Sequence, residues 1–229
     1  MRALRILLIT GVILGGLFAL VDRLAVNYAE SEVASRIQAT QGVSGTPDVS
    51  IAGFPFLTQV LGKELDRVDV TLAGVEATAG GRTVRVNELN AELHRVRLEN
   101  NFERAVAESA TGTARISYDD LRKASKDDIT LAYGGNGKIK VTGSVEVLGR
   151  KLTRSVLSTV SVVDGDTLRV RADKVPGEGI PGIEELVRER TDFDRRVGGF
   201  PAGLKIQKVE ALPEGLAVTV VGKDVVLAG

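Results

Sequence analysis

An uncharged run of sixteen residues, Ile6 to Val21 (ILLITGVILGGLFALV), entered from Arg2 and Arg5, constrains this chain more than any other feature. A basic start followed by an apolar stretch is the pattern of an export signal. As a helix the run spans about 24 Å, against a bilayer hydrocarbon core of about 30 Å. Flanking residues such as Leu4 and Leu24 extend it. No clean A-x-A cleavage site stands near Val21, and Asp22-Arg23 follows at once. That balance favours an uncleaved signal anchor over a cleaved signal peptide for residues 1–24. In both cases the basic end stays inside and the bulk of the chain goes out. A buried core helix of a cytosolic protein is the third reading, and the charged flank argues against it.

Behind the apolar run the helical pattern continues from Leu24 to Ala39, with Val26, Ala29, Val33 and Ile37 on one face. Gly42, Gly45 and Pro47 end it. One long helix leaving the membrane and packing its outer half on a folded domain is the simplest arrangement.

From Val49 the period changes to two. Val68, Val70 and Leu72 share a strand face, with Asp69 and Thr71 opposite. The segment Thr83 to Glu99 changes phase twice: Val84 and Val86, then Leu89, Ala91 and Leu93, then Val96 and Leu98. A one-residue slip flips every side chain, so each change predicts a bulge or a break, as in strongly curved sheets. Gly112 to Tyr118 reads as a strand, and Ser117 with Asp120 as a capping box for a helix over Tyr118 to Ala124. A meander follows through Ile129–Tyr133, Ile139–Val147, Leu152–Val162 and Leu168–Ala172, with glycine turns between. A helix carrying Ile183, Leu186 and Val187 precedes two closing strands, Leu204–Ala211 and Leu216–Leu227. The order predicts a single α+β domain over residues 25–229. In it a long curved antiparallel sheet packs on, or wraps, the N-terminal helix and the second helix.

Chemistry is sparsely signalled. Thirty basic residues balance thirty acidic ones, which leaves no footprint for nucleic acid. The absence of cysteine excludes disulfides, thiolate catalysis and cysteine-based zinc sites. His94, the one histidine, reads as a strand residue, and no carboxylate cluster fits a metal. No cofactor is expected. Gly177 to Gly182 satisfies G-x-G-x-x-G, but that motif needs a βαβ unit and everything upstream is hairpin-linked. Acidic pairs such as Asp119-Asp120 fit helix starts, and Arg195-Arg196 fits a solvated loop or a phosphate contact.

The unusual element is Phe54-Pro55-Phe56-Leu57-Thr58-Gln59-Val60-Leu61-Gly62. It breaks strand alternation and pairs Phe56 with Val60 and Leu57 with Leu61 at helical spacing, with Gly62 as a stop. It reads as a short helix plugging the core, or as part of an apolar cavity or membrane-touching tip. Gly199-Phe200-Pro201 echoes its opening.

Three stretches carry a resemblance: PDVSIAGFPFLTQVLGKELDRVDVTLAGV, ARISYDDLRKA and LKIQKVEALPEGLAVTVVGKDVVL. Together they make the chain similar, over about residues 25 to 227, to the LmeA-like phospholipid-binding proteins of actinobacteria, the lipomannan elongation factor family. The resemblance implies a non-enzymatic envelope protein that binds phospholipids, including inositol phospholipids, and supports lipoglycan assembly. It also implies kinship with tubular lipid-binding folds, in which a curved sheet wraps a long helix beside a lipid groove. Expected acyl-chain contacts are Phe54, Phe56, Leu57, Val60, Leu61, Ile183, Leu186, Val187 and Phe200. The alternative is a scaffold protein whose apolar elements bind a protein partner.

Overall fold

A computed structural model describes residues 2–41, 46–79, 82–124, 129–147, 150–173, 188, 191–198 and 200–228. The expected Gly177–Gly182 loop, the expected helix bearing Ile183, Leu186 and Val187, Gly199 and the expected Gly80-Gly81 turn lie outside them. The architecture is α+β, with one long helix and two antiparallel sheets of six and five strands.

Helix α1 runs unbroken over Arg2–Gln41, about 60 Å at 1.5 Å per residue. Its first half is long and apolar enough to cross a membrane, and none of its most apolar window is buried. The second half packs on the fold through Ala25, Val26, Ala29, Ala34 and Ile37. Val33, expected on that face, is exposed and Ala34 takes its place. Glu30 shares the inner side because its carboxylate accepts the Ile51 amide at 2.7 Å. That bond satisfies a donor on β1, the outermost strand of its sheet.

The larger sheet has the order β1-β2-β3-β4-β11-β10. Its strands are β1 (Asp48–Ala52), β2 (Glu64–Ala79), β3 (Arg82–Glu99), β4 (Arg104–Ser117), β10 (Leu204–Leu212) and β11 (Gly215–Ala228). The second sheet is the meander β5 (Ile129–Gly135), β6 (Lys138–Val147), β7 (Arg150–Val163), β8 (Thr167–Ala172) and β9 (Phe193–Arg196). The strands therefore divide between two sheets where the sequence reads as one. Helix α3 (Tyr118–Ala124) separates β4 from β5 and ends the first ladder. Half of its predicted capping box forms: the Asp120 amide donates to Ser117 Oγ at 3.1 Å, but the Asp120 carboxylate takes that hydroxyl at 2.6 Å, and the Ser117 amide donates instead to Asn87 Oδ1 at 2.8 Å. β9 lies where a loop is expected. Short and polar, it is held by ion pairs, with Asp194 on β9 meeting Arg169 and Arg171 of β8.

The phase changes in β3 are real, and of the two expected forms they are breaks in the ladder and not bulges. The β2–β3 register keeps one offset from Glu64↔Arg97 to Ala79↔Arg82, with Asp66/Arg95 and Gly74/Asn87 stepping out of the ladder. Both strands change face together. Arg95, at φ 45°, falls between Leu93 and Val96, and the buried residues of β2 step from Leu65 to Val68 at the same level. Opposite, β4 steps from Ala107 to Ala110, and β11 has Asp224 at φ 47°. Left-handed backbone at these two residues makes a crease across four strands. The same face stays apolar on both sides of it, and the sheet bends with Arg95 and Asp224 stepping out of the ladders while the register on either side is kept. True register shifts lie elsewhere, between Ile206 and Lys208 on β10, between Val226 and Ala228 on β11 and between Tyr133 and Gly135 on β5.

Two core clusters form. In the first, Val26 of α1 meets Val49, Ile51, Leu65, Val68, Leu93, Val96, Ala107, Ala110 and Val225 of the larger sheet. In the second, Ile139, Val141, Val156 and Ala172 of the smaller sheet meet Ile206, Val209, Leu216, Val218 and Val220 of the larger. Ala110 in the first and Ala114 beside the second alternate on one face of β4, so both clusters cover the same side of the larger sheet. Leu204 touches both.

Candidate functional site

The Gly53-to-Gly62 element folds as a tight turn into a short helix, α2 (Phe56–Gly62). Gly53 has φ +104°, and a Cβ there would sit 2.7 Å from the Asp66 carboxylate, so the turn requires glycine. The helix ends one residue later than the sequence suggests. Lys63, not Gly62, takes the left-handed conformation and closes back on the Gln59 and Val60 carbonyls. Its own carbonyl then accepts the Leu98 amide of β3 at 2.9 Å, which ties the end of α2 to the sheet.

The start of α2 is tied to α1. Asp22 is fully buried, and its carboxylate accepts the Leu57 amide at 2.9 Å. Arg23 pairs with Asp22 at 3.0 Å, and its guanidinium lies 5.2 Å from the centre of the Phe54 ring. Gln59 bridges the turn, donating to the Ala52 carbonyl at 3.3 Å and accepting the Asp66 amide at 2.8 Å.

These contacts sort the expected site residues. Phe56 is buried in the first cluster, and Leu57 and Val60 pack against it half-buried. Phe54 and Leu61 point outward, 60% and 83% exposed. Phe200 packs instead against the second cluster. The structure brings five of the expected residues together on α2 and its turn and places Phe200 with the other core. Sequence reasoning missed Asp22, Glu30 and Leu204. Asp22 had a signal, an acid placed directly after an apolar run; Leu204 had none.

Two shallow depressions mark the larger sheet. One, of about 250 Å³, lies on its polar face over Asp69, Thr71, Asn90, Glu92, Thr111 and Thr113. The other, of about 290 Å³, lies near the β10–β11 turn against Asn87, Glu88, Arg115, Ser117 and Glu214. Neither is lined by the expected apolar residues. Tyr118 stands near the second, and its hydroxyl donates to the Leu212 carbonyl at 2.8 Å. Burial, reinforced by Tyr133 and Glu214, pushes that phenol up to about 12. His94 is half-exposed on β3, 2.8 Å from Glu92. Arg196 pairs with Asp166 at 2.6 Å, and Arg195 stacks over Phe193 at 5.9 Å. Among the described residues, no three histidine, aspartate or glutamate side chains are grouped to hold a metal.

The model of a family described as LmeA-like phospholipid-binding matches residues 20–221. Comparison with curated proteins and with solved structures returns no match.

Proposed function

The chain belongs to the LmeA-like phospholipid-binding family, and on that premise we propose that it is a membrane-tethered, non-enzymatic phospholipid carrier or holder. Its address in this reading is the outer face of the cytoplasmic membrane, with Arg2 and Arg5 retained inside. The family match is the observation that carries the reading, and the exposed apolar half of α1 supports the tether.

The lipid would be held by its acyl chains. The apolar side of the larger sheet runs from the first cluster through Leu204 to the second, and Phe56, Leu57, Val60 and Phe200 stand along it. Phe54 and Leu61 flank its α2 end, and Ile183, Leu186 and Val187 are assigned to the same chain contacts. Each buried methylene contributes about 0.8 kcal/mol, so ten contribute about 8 kcal/mol without any specific polar contact. Inositol phospholipids and a role in lipoglycan assembly are the finer assignments of the same reading.

Native mass spectrometry of the protein released from membranes, followed by lipid extraction, is the test. Bound phospholipid at stoichiometric mass supports the proposal. Only bare protein, even after incubation with phospholipid liposomes, would sink it and favour the scaffold reading.

A further inference from the structure

The larger sheet has one end that differs from all other parts of its surface. β2 starts there at Glu64, the β3–β4 hairpin turns there through Asn100–Phe102, and β11 finishes there at Ala228, next to Ala105. The Lys63–Leu98 hydrogen bond joins α2 to the same end. Outside α1, the most exposed large apolar side chains of the described residues are Leu61 (83%), Phe54 (60%) and Phe102 (54%), and all three stand here. Leu227 is a fourth exposed apolar residue at this end.

Topology fixes the level of this end along α1. The helix climbs away from Val21 to Gln41, β1 returns antiparallel to β2, and the chain arrives at Gly53 opposite Arg23 and at Leu57 opposite Asp22. Asp22 is the first residue after the apolar run, so the sheet end lies level with the point where the run stops. The headgroup layer on each side of a bilayer is about 5–7 Å deep. Arg23 stands only about 3 Å of helix rise beyond Val21, and the Phe54 ring lies 5.2 Å from its guanidinium. No linker intervenes, because α1 is one helix and Asp22 locks α2 to it.

We propose that this end of the sheet is a bilayer seat. Phe54, Leu61 and Phe102 insert at the headgroup–acyl boundary of the leaflet from which α1 emerges, and Arg23 stacks on Phe54 with its charge among the phosphates. The occupant is the phospholipid leaflet itself, because the same rigid helix that carries the seat continues into the apolar run. The proposal rests on the reading of α1 as a membrane span. It adds an orientation: the apolar side of the sheet opens next to the lipid surface, and the β3 end at Thr83 points away.

The chain has no tryptophan, so single-tryptophan variants of the full-length protein report each position without background. Leu61→Trp and Phe102→Trp test the seat at two separate elements, both at exposed positions. Leu14→Trp reports the span and Thr83→Trp the far end. Each is reconstituted in phosphatidylcholine–phosphatidylglycerol nanodiscs with and without brominated lipids, the bromines placed near the top of the acyl chain for the seat and far-end positions and near its methyl end for Leu14→Trp. The expected result is blue-shifted emission and bromine quenching at Leu61→Trp and Phe102→Trp, with Thr83→Trp unchanged. Quenching at Leu14→Trp alone, with the two seat positions behaving like Thr83→Trp, overturns the seat and leaves the membrane span standing. Absence of quenching at Leu14→Trp removes the span and the seat with it. Neither outcome bears on whether lipid co-purifies with the protein, so this failure and that of the lipid-binding reading are distinguishable.

Discussion

The buried carboxylate of Asp22 accepts the backbone amide of Leu57 across thirty-five positions of sequence, at 2.9 Å. Through that bond the last residue before the folded part of α1 orders the first turn of α2. Removing it leaves the Leu57 amide without its acceptor in a part-buried place, a loss of about 1–3 kcal/mol. Asp22→Ala therefore lowers stability by that order and speeds amide exchange from Leu57 through Gly62. Asp22→Asn keeps an acceptor oxygen and loses less. Hydrogen-exchange mass spectrometry of the two variants checks the order, and equal exchange in all three proteins would count against the tie.

Arg95 carries the crease in left-handed backbone, where a side chain costs about 1–2 kcal/mol and a β-branched one more. Glycine removes that cost but forfeits the exposed ion pair with Glu108, which is worth little. Arg95→Gly is expected to be neutral or slightly stabilising in urea unfolding. Arg95→Val is expected to destabilise by about 1–2 kcal/mol. Matching midpoints for the two variants would argue against left-handed backbone at Arg95.

Tyr118 keeps its proton in the folded state beyond the pH at which a free phenol loses it, because burial disfavours the anion. A pKa raised on folding supplies stability that is complete below the unfolded value near 10 and is lost as pH rises through the folded value. The window is therefore from 10 to about 12. Tyr118→Phe loses the bond to Leu212, about 1 kcal/mol at neutral pH, and flattens the alkaline decline in that window. Thermal unfolding across pH 8 to 12 measures both effects.

Asp194 behaves in the opposite sense. Its hydrogen bonds to Arg169, and after them the charges of Arg169 and Arg171, hold the carboxyl below the usual range. A pKa depressed on folding supplies stability that is present above the unfolded value, about 4, and is lost as pH falls through the folded value. Asp194→Asn should make acid unfolding below pH about 4 less steep and should loosen β9 from β8. Exchange of the Phe193–Arg196 amides reads out the loosening.

The apolar run, the long helix behind it, the period-two strands and the Ser117 cap are all local patterns. A stretch of sixteen uncharged residues fits few environments, and strand alternation needs only the residues of its own strand. The same locality explains where reading by pattern stopped. Phase changes in β3 left a bulge and a break both open because one strand does not reveal that its neighbours change face with it. β9 is short, polar and paired through Arg169 and Arg171, which lie more than twenty positions back in sequence. The division into two sheets depends on α3 interrupting the ladder, a matter of three-dimensional path.

For the candidate site the split is sharpest between Phe56 and Phe54. Sequence identified both as apolar residues in an element that breaks the strand pattern, and nothing in their spacing separates them. Tertiary structure buried one in the first cluster and left the other 60% exposed beside Arg23. The reason is the position of α2 on α1. An acid that the sequence showed only as the end of an apolar run is folded in as the group that holds the short helix. That contact at the start of α2, with the Lys63–Leu98 bond at its end, fixes which of its apolar side chains face the core and which face outward.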